Sequence, residues 1–288
     1  MLWDCFAERR LPGGAPANVA FHAGQLGCRG AVGSRVGSDE PGDGLVEFLR
    51  GQGIATDWIQ RDPVHPTSTV TVKVGRDGQP QFTIHQDVAW DYLELNDSLR
   101  ELMGTAAAVC FGTLAQRSPD ARRTIHRALA CTKPDCLIVY DVNLRQEFYK
   151  RDWVEESLIV CHVVKLNIDE VDVLAELLGT GPPDPVPFGR AVQEQFGVET
   201  VIVTQGKHGC LVIEPERVHD VPGVPVKVAD TVGSGDAFTA ALIYSRLRGW
   251  PADRGAELAN RVGALVAQHP GAMPPLAEEF AALAAEYQ

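Results

Sequence analysis

Short apolar, β-branched runs alternate with helical stretches through the last two-thirds of this chain. The runs lie at residues 108–111, 137–140, 163–166 and 201–203, and helical periodicity fills 118–131, 153–161, 170–178 and 189–196 between them. Near-continuous apolar strands separated by helices predict a mostly parallel sheet covered on both faces, the doubly wound α/β class. Polar residues gather where those strands end: residues 112–117, then Asp141, Asn143 and Arg145, then Asn167 and Glu170, then Thr204, Gly206 and Gly209. Ligands of doubly wound sheets bind outside the carboxyl ends of the strands, so four successive polar ends predict one site. Taken singly, each end also reads as an ordinary polar loop.

Residues 66–92 follow another period. Positions 67–74 alternate apolar and polar, Gly75-Arg76-Asp77-Gly78 supplies a turn, and 81–85 alternate again. This predicts a β-hairpin with one polar face, inserted into a core formed by residues 1–65 and 93–288. A lid over the site and a plain edge hairpin are both open readings. The cluster Pro182, Pro183, Pro185 and Pro187 predicts a loop.

Composition narrows the field. With 288 residues, 45% of them hydrophobic, the chain can bury one large core plus a small appendage. A net charge of −12 argues against a nucleic-acid or anionic-membrane surface. The seven cysteines are odd in number and scattered, as expected of reduced thiols in a cytoplasmic protein. Cys131 and Cys136 have no second pair to complete a zinc site. No apolar run reaches membrane-spanning length, and residues 1–10 lack the layout of a signal peptide.

The most informative chemistry lies at Asp230-Thr231-Val232-Gly233-Ser234-Gly235-Asp236-Ala237-Phe238. It follows a β-like run at 224–228 and precedes an apolar helical pattern at 237–247. Gly233, Ser234 and Gly235 therefore open a helix whose first N–H groups have no intrahelical acceptor, a natural cradle for an anion. A carboxylate at Asp236 suits proton abstraction from a hydroxyl that attacks phosphorus, while the N–H groups hold the developing charge. Alone, the same residues read as a glycine-rich turn with an acidic cap. No G-x-x-x-x-G-K-[ST] sequence is present, and no G-x-G-x-x-G follows a first strand, which sets aside P-loop and Rossmann dehydrogenase chemistry.

From about Leu2 to its C-terminus the chain resembles the ribokinase-like, or PfkB, carbohydrate kinases. Two signatures carry the resemblance. The first is Gly13-Gly14-Ala15-Pro16-Ala17-Asn18-Val19-Ala20 with Gly24, Gly27, Val32-Gly33, Val36-Gly37, Asp39 and Gly42; the second is the stretch from Asp230 to Phe238. Within the family, Cys110-Phe111-Gly112-Thr113-Leu114-Ala115-Gln116-Arg117 and Asp141-Val142-Asn143-Leu144-Arg145 look most like bacterial fructokinases.

The resemblance implies a ribokinase-like fold with a small β lid, and an ATP-dependent sugar kinase with fructose O6 as first-choice acceptor. 2-Keto-3-deoxygluconate kinase and ribokinase stay open inside the family, and a non-catalytic sugar- or nucleotide-binding module outside it. Residue by residue, it implies a sugar pocket at Asp4, Gly14 and Asn18, with Arg117, Asp141, Asn143 and Arg145 at the sugar or phosphate edge. Thr204, Gly206, Gly209 and Asn260 would bind the nucleotide, and Asn167 and Glu170 would organise Mg²⁺. Asp236 would be the base and Gly233, Ser234 and Gly235 the anion hole. A monovalent cation such as K⁺ is a further candidate cofactor, and a homodimer a candidate assembly. Two departures stand out. The strand ending in Gly-Glu that usually comes before the position of Leu2 is not found, which predicts unpaired ladder groups on its neighbours. The interval from Asp4 to Gly13 is too short to promise much of a second lid hairpin.

Overall fold

The computed structural model describes residues 1–5, 10–74 and 80–287. In chain order the elements are β1 (Leu2–Cys5), β2 (Arg10–Gly13), α1 (Ala15–Gln25), β3 (Ser34–Gly37), α2 (Glu40–Gly51), β4 (Ile59–Asp62), β5 (Thr69–Val74) and β6 (Pro80–Ile84). There follow α3 (Asp97–Thr105), β7 (Ala108–Gly112), α4 (Pro119–Leu129), β8 (Leu137–Asp141), α5 (Arg151–Val160), β9 (Val163–Asn167) and α6 (Ile168–Leu178). The chain closes with α7 (Pro185–Phe196), β10 (Thr200–Thr204), β11 (Gly209–Ile213), β12 (Val218–Pro222), α8 (Ser234–Leu247), α9 (Ala252–Val266) and α10 (Ala277–Ala285).

The four apolar runs form β7 to β10, parallel neighbours in a six-stranded sheet of order β12-β11-β10-β9-β8-β7, with β11 and β12 antiparallel at one end. Both faces are covered. One packs Val139, Val163 and Ile202 against α1, α8, α9 and α10; the other packs Tyr140, Val164 and Leu166 against α3 to α7. Alternate residues of one strand thus serve opposite cores, which is why these strands have no polar face. The strand β7 lies at the edge of this sheet, and β3 pairs only with β4 in a separate parallel pair.

The hairpin read from residues 66–92 is present as antiparallel β5 and β6, paired from Val70–Ile84 to Val74–Pro80; the turn Gly75 to Gly78 lies outside the described residues. The N-terminal expectation needs correction. β1 and β2 pair antiparallel from Leu2–Gly13 to Cys5–Arg10, and β1 runs parallel to β5, so a four-stranded sheet β2-β1-β5-β6 forms. Leu2–Cys5 and Arg10–Gly13 therefore form a second antiparallel pair within the interval read as too short for one, while Trp3 packs against the cluster formed by α1, α2 and β3. Pro12 fits because β2 is an edge strand and needs no second ladder partner.

The proline-rich loop is also shorter than expected. Asp184 caps α7 through Val186 N, and Pro185 opens the helix, a position where its missing N–H costs no bond. Among the described residues no helix is long and apolar enough to cross a membrane.

Candidate active site

Gly233 caps α8 in the left-handed region, at φ 80°, and a Cβ there would stand 2.5 Å from the Ala272 carbonyl oxygen. Only glycine fits both restrictions. The Asp230 carboxylate accepts from Val232 N and Gly271 N, each at 3.0 Å, and so ties the turn to the segment after α9. Ser234 Oγ donates to Thr231 O at 2.8 Å. The hydroxyl thus shapes the turn, and Ser234 N donates to the same carbonyl at 3.3 Å, so an anion at this helix start would meet backbone N–H groups rather than the serine side chain.

Asp236 lies in the first turn of α8, where Asn18 Nδ2 donates to its Oδ2 at 2.7 Å. Burial and the Asp141 carboxylate push its pKa up to about 6, against the pull of Asn18, Lys165 and Arg145. That is a useful value for a base working near neutrality. Asn18 sits in α1, which packs on α8, and is 4% exposed; its Oδ1 has no partner among the described residues.

Register puts Asp141 and Lys165 side by side on β8 and β9, on the face that carries Val139 and Val163 one layer below. Lys165 Nζ donates to both Asp141 oxygens at 3.1 Å, and Thr239 Oγ1, one turn into α8, donates to Asp141 Oδ2 at 2.8 Å. Burial opposes the charge on Lys165, but Asp141 and Asp236 outweigh it and hold the ammonium above the ordinary lysine range. The lysine therefore keeps its charge inside the fold. Asp141 is engaged on both oxygens by protein. Sequence reasoning passed over Lys165 and Thr239, although a lysine within the apolar run 163–166 was the available signal.

Asn167 and Glu170 form a reciprocal cap at the start of α6. Asn167 Oδ1 accepts from Glu170 N and Glu170 Oε2 from Asn167 N, both at 2.9 Å. Glu170 Oε1 also accepts from Leu144 N at 2.7 Å, which fixes the loop after β8 where Asn143 (φ 42°) and Gln146 (φ 50°) take left-handed backbone. Burial pushes the Glu170 carboxyl up. Arg145 extends from this loop, exposed, and its charge opposes the rise that burial causes in the Asp4 carboxyl.

Asp4 stands on β1 opposite Leu11, and its Oδ2 lies 2.7 Å from where a Cβ on Gly13 would stand, so the carboxylate lies over the bare end of β2. Gly14, at φ 118°, precedes α1 and brings Asn18 into its first turns. Arg117, by contrast, is taken up in the junction between the four-stranded sheet and the core. Its Nε and NH2 donate to Asp91 at 2.8 Å, NH2 also donates to His85 O at 2.6 Å, and the guanidinium lies against Trp90 and Phe148.

Thr204 ends β10, and Gly206 (φ 56°) and Gly209 (φ 100°) shape the turn into β11, where the Val221 carbonyl crowds any Cβ at residue 209. Asn260 Nδ2 donates to Val221 O and Pro222 O at 3.2 Å, so this amide closes the end of β12. Asp39, in the first signature, caps α2 through Gly42 N and also accepts from Thr67 N, both at 2.8 Å. Gly37 and Gly42 leave room for that crossing. Much of the first signature thus roots β5 beside α2.

A doubly wound sheet with a glycine-capped helix start and a buried carboxylate at the head of α8 is an arrangement suited to an α/β phosphotransferase. The profile of the pfkB family of carbohydrate kinases matches residues 5–279, and the chain belongs to that family: it is a sugar kinase. It is 33% identical over 273 residues to PH1459 of Pyrococcus horikoshii, described as an uncharacterized sugar kinase, covering 94% of this chain and 85% of that protein. A fructokinase of Klebsiella pneumoniae is 30% identical over 280 residues, 93% of this chain and 89% of the relative. The crystal structure of PH1459 in complex with ATP superposes with a TM-score of 0.84 at 30% identity, over 100% of this chain and 97% of that one. The Vibrio cholerae fructokinase bound to fructose, ADP and calcium gives 0.81 at 27% identity, over 100% and 96%.

Proposed function

We propose that this kinase transfers the γ-phosphoryl group of ATP to O6 of fructose. The observation that carries the reading is the Asn18–Asp236 contact at the head of α8, which sets a base beside the helix N-terminus. Relatives named fructokinase, among them one whose structure holds fructose and ADP, support the choice of sugar.

In this mechanism Asp4 and Asn18 orient the sugar through its hydroxyls, with Gly14 leaving room beside them and Asn143 and Arg145 at the edge. The free Asn18 Oδ1 is an acceptor suited to a hydroxyl. Asp236 takes the proton from O6 as the new O–P bond forms. The bond from the γ-phosphorus to the β–γ bridging oxygen breaks, and ADP leaves with that electron pair. The N–H groups of Gly233, Ser234 and Gly235 hold the charge on the transferred group. Thr204, Gly206 and Gly209 form the nucleotide-phosphate side, and Asn260 shapes the adenine side by closing the end of β12. The four-stranded sheet serves as a lid, and pairing of two lids in a homodimer belongs to the same proposal.

Mg²⁺ is the implied metal. Among the described residues no group of three or more His, Cys, Asp or Glu gathers as a dedicated protein cage. Asn167 and Glu170 already accept backbone N–H groups, so their oxygens fit the water shell of a hydrated ion better than direct ligation. Such an ion supplies charge neutralisation on the phosphates when bound. A monovalent cation such as K⁺ is part of the proposal as an activator. Seven free cysteines support action in the cytoplasm.

The test is ADP release with Mg²⁺-ATP and, separately, fructose, ribose, 2-keto-3-deoxygluconate, glucose and adenosine. Turnover confined to fructose supports the proposal. Preference for the keto-acid would move the reading to a sugar-acid kinase, with Arg145 as the cation for its carboxylate. No turnover from folded protein would sink the catalytic reading and favour a binding module.

A further inference from the structure

A lysine and an aspartate lie on neighbouring central strands, directly beneath the head of α8, at a depth where a doubly wound sheet ordinarily presents apolar side chains. Lys165 is 7% exposed and Asp141 4% exposed. The row beneath them is Val139 and Val163, and Ile202 flanks Lys165 on β10. Replacing such an ion pair by apolar side chains of similar volume is often neutral or stabilising. Stability alone is a weak reason for charge at this place.

Geometry supplies another reason. Lys165 Nζ lies 3.3 Å from where a Cβ on Gly235 would stand, so the ammonium is packed against the backbone that forms the anion cradle. Asp141 grips it with both oxygens and is itself fixed to α8 through Thr239. The lysine cannot swing out to solvent without breaking two contacts, and the carboxylate is pinned from the helix side. A cation clamped in this way needs no reorganisation while charge develops above it, which is where fixed charge acts most strongly.

The geometry points to Lys165 as a positioning residue of phosphoryl transfer, a fixed positive charge held by Asp141 and Thr239 under Gly235 that favours both the anionic base and the charge of the group in flight. This inference rests on the kinase reading above and adds a residue to it. It predicts an effect on the chemical step rather than on substrate binding.

The experiment compares Lys165→Met, the double variant Lys165→Met with Asp141→Asn, and Asp236→Asn, using steady-state kinetics, nucleotide titration and thermal melting. The single Lys165 variant strands a buried carboxylate, and the double variant also removes the Asp141 charge that opposes ionisation of Asp236, so a fall in kcat shared by both variants is the deciding result. The expected result is a fall in kcat on the order of 10²-fold with the KM for sugar and for ATP within about threefold of the parent. A folded double variant with parental kcat overturns the inference. So does a raised sugar KM at unchanged kcat, since that would make Lys165 a binding residue. Asp236→Asn separates the two levels. If it turns over like the parent, the base assignment itself has failed. If it is inactive while the double variant is fast, only the role of Lys165 has failed.

Discussion

Asn18 and Asp236 are 218 positions apart and meet at 2.7 Å, one from each of the two signatures of the chain. The contact joins α1 to α8 at the point where both helices begin, and it explains why the signatures occur together. One supplies the amide that orients the carboxylate, and the other supplies the carboxylate and the N–H groups beside it.

Asp236→Asn is expected to lower kcat by about 10²–10⁴-fold, the range of a lost general base. Nucleotide affinity, measured by calorimetry with ADP and Mg²⁺, should stay within about threefold because Thr204, Gly206 and Gly209, the proposed nucleotide side, follow a different strand. Turnover close to the parent would contradict the assignment.

The acid limb of activity should belong to Asp236. With its carboxyl held at about 6, kcat/KM should rise roughly tenfold per pH unit below that value and level off above it. Asn18 opposes the upward shift, so Asn18→Ala should carry the limb toward higher pH. A pH–rate profile of both proteins checks the order.

The same group should cost stability. Its folded-state pKa lies above the ordinary value, so folding favours the protonated form. The penalty is absent below about pH 4, grows as pH rises, and is complete once pH has passed through about 6. Asp236→Asn should therefore melt higher than the parent at pH 7.5, by up to about 3 kcal/mol in stability, with the gain gone near pH 4.

Gly233→Ala should both destabilise and inactivate. The positive φ and the Ala272 carbonyl leave a methyl no room, and the strain should cost about 1–3 kcal/mol while displacing the cradle. Thermal melting and kcat should fall together.

Arg117→Ala strands Asp91 in the junction and should cost about 3–5 kcal/mol, with a matching fall in melting temperature. Arg117→Lys should recover little of it, because an ammonium cannot reproduce the two parallel bonds or the stacking on Trp90 and Phe148.

The strands β7 to β10, the β5–β6 pair and the helix-opening turn at Gly233 to Asp236 were legible in the sequence because they depend on near neighbours: period, glycine and the start of an apolar helix. The β-like run at 224–228 is not a strand, since the ladder ends at Pro222 and the prolines and glycine at 222–225 carry the chain off the sheet. Partners distant in sequence were not. Arg117 looks like a strand-end cation until Asp91 is seen 26 positions away, closing on two of its nitrogens. Asp141 looks free for a hydroxyl until register sets Lys165 beside it. The hairpin of β1 and β2 was missed because a short polar interval has no apolar period, and only pairing with β5 gives it a place.

Asp39 has one more consequence. Its two oxygens serve the first turn of α2 and the root of β5 at Thr67, so that root is bolted to a helix end. Arg117 makes a second tie where it holds His85 and Asp91, and Trp3 makes a third by donating its Nε1 to Pro41 O at 2.8 Å. A sheet anchored from both of its central strands is held in place over the core, and its attachment is as much a part of the fold as the ladder within it.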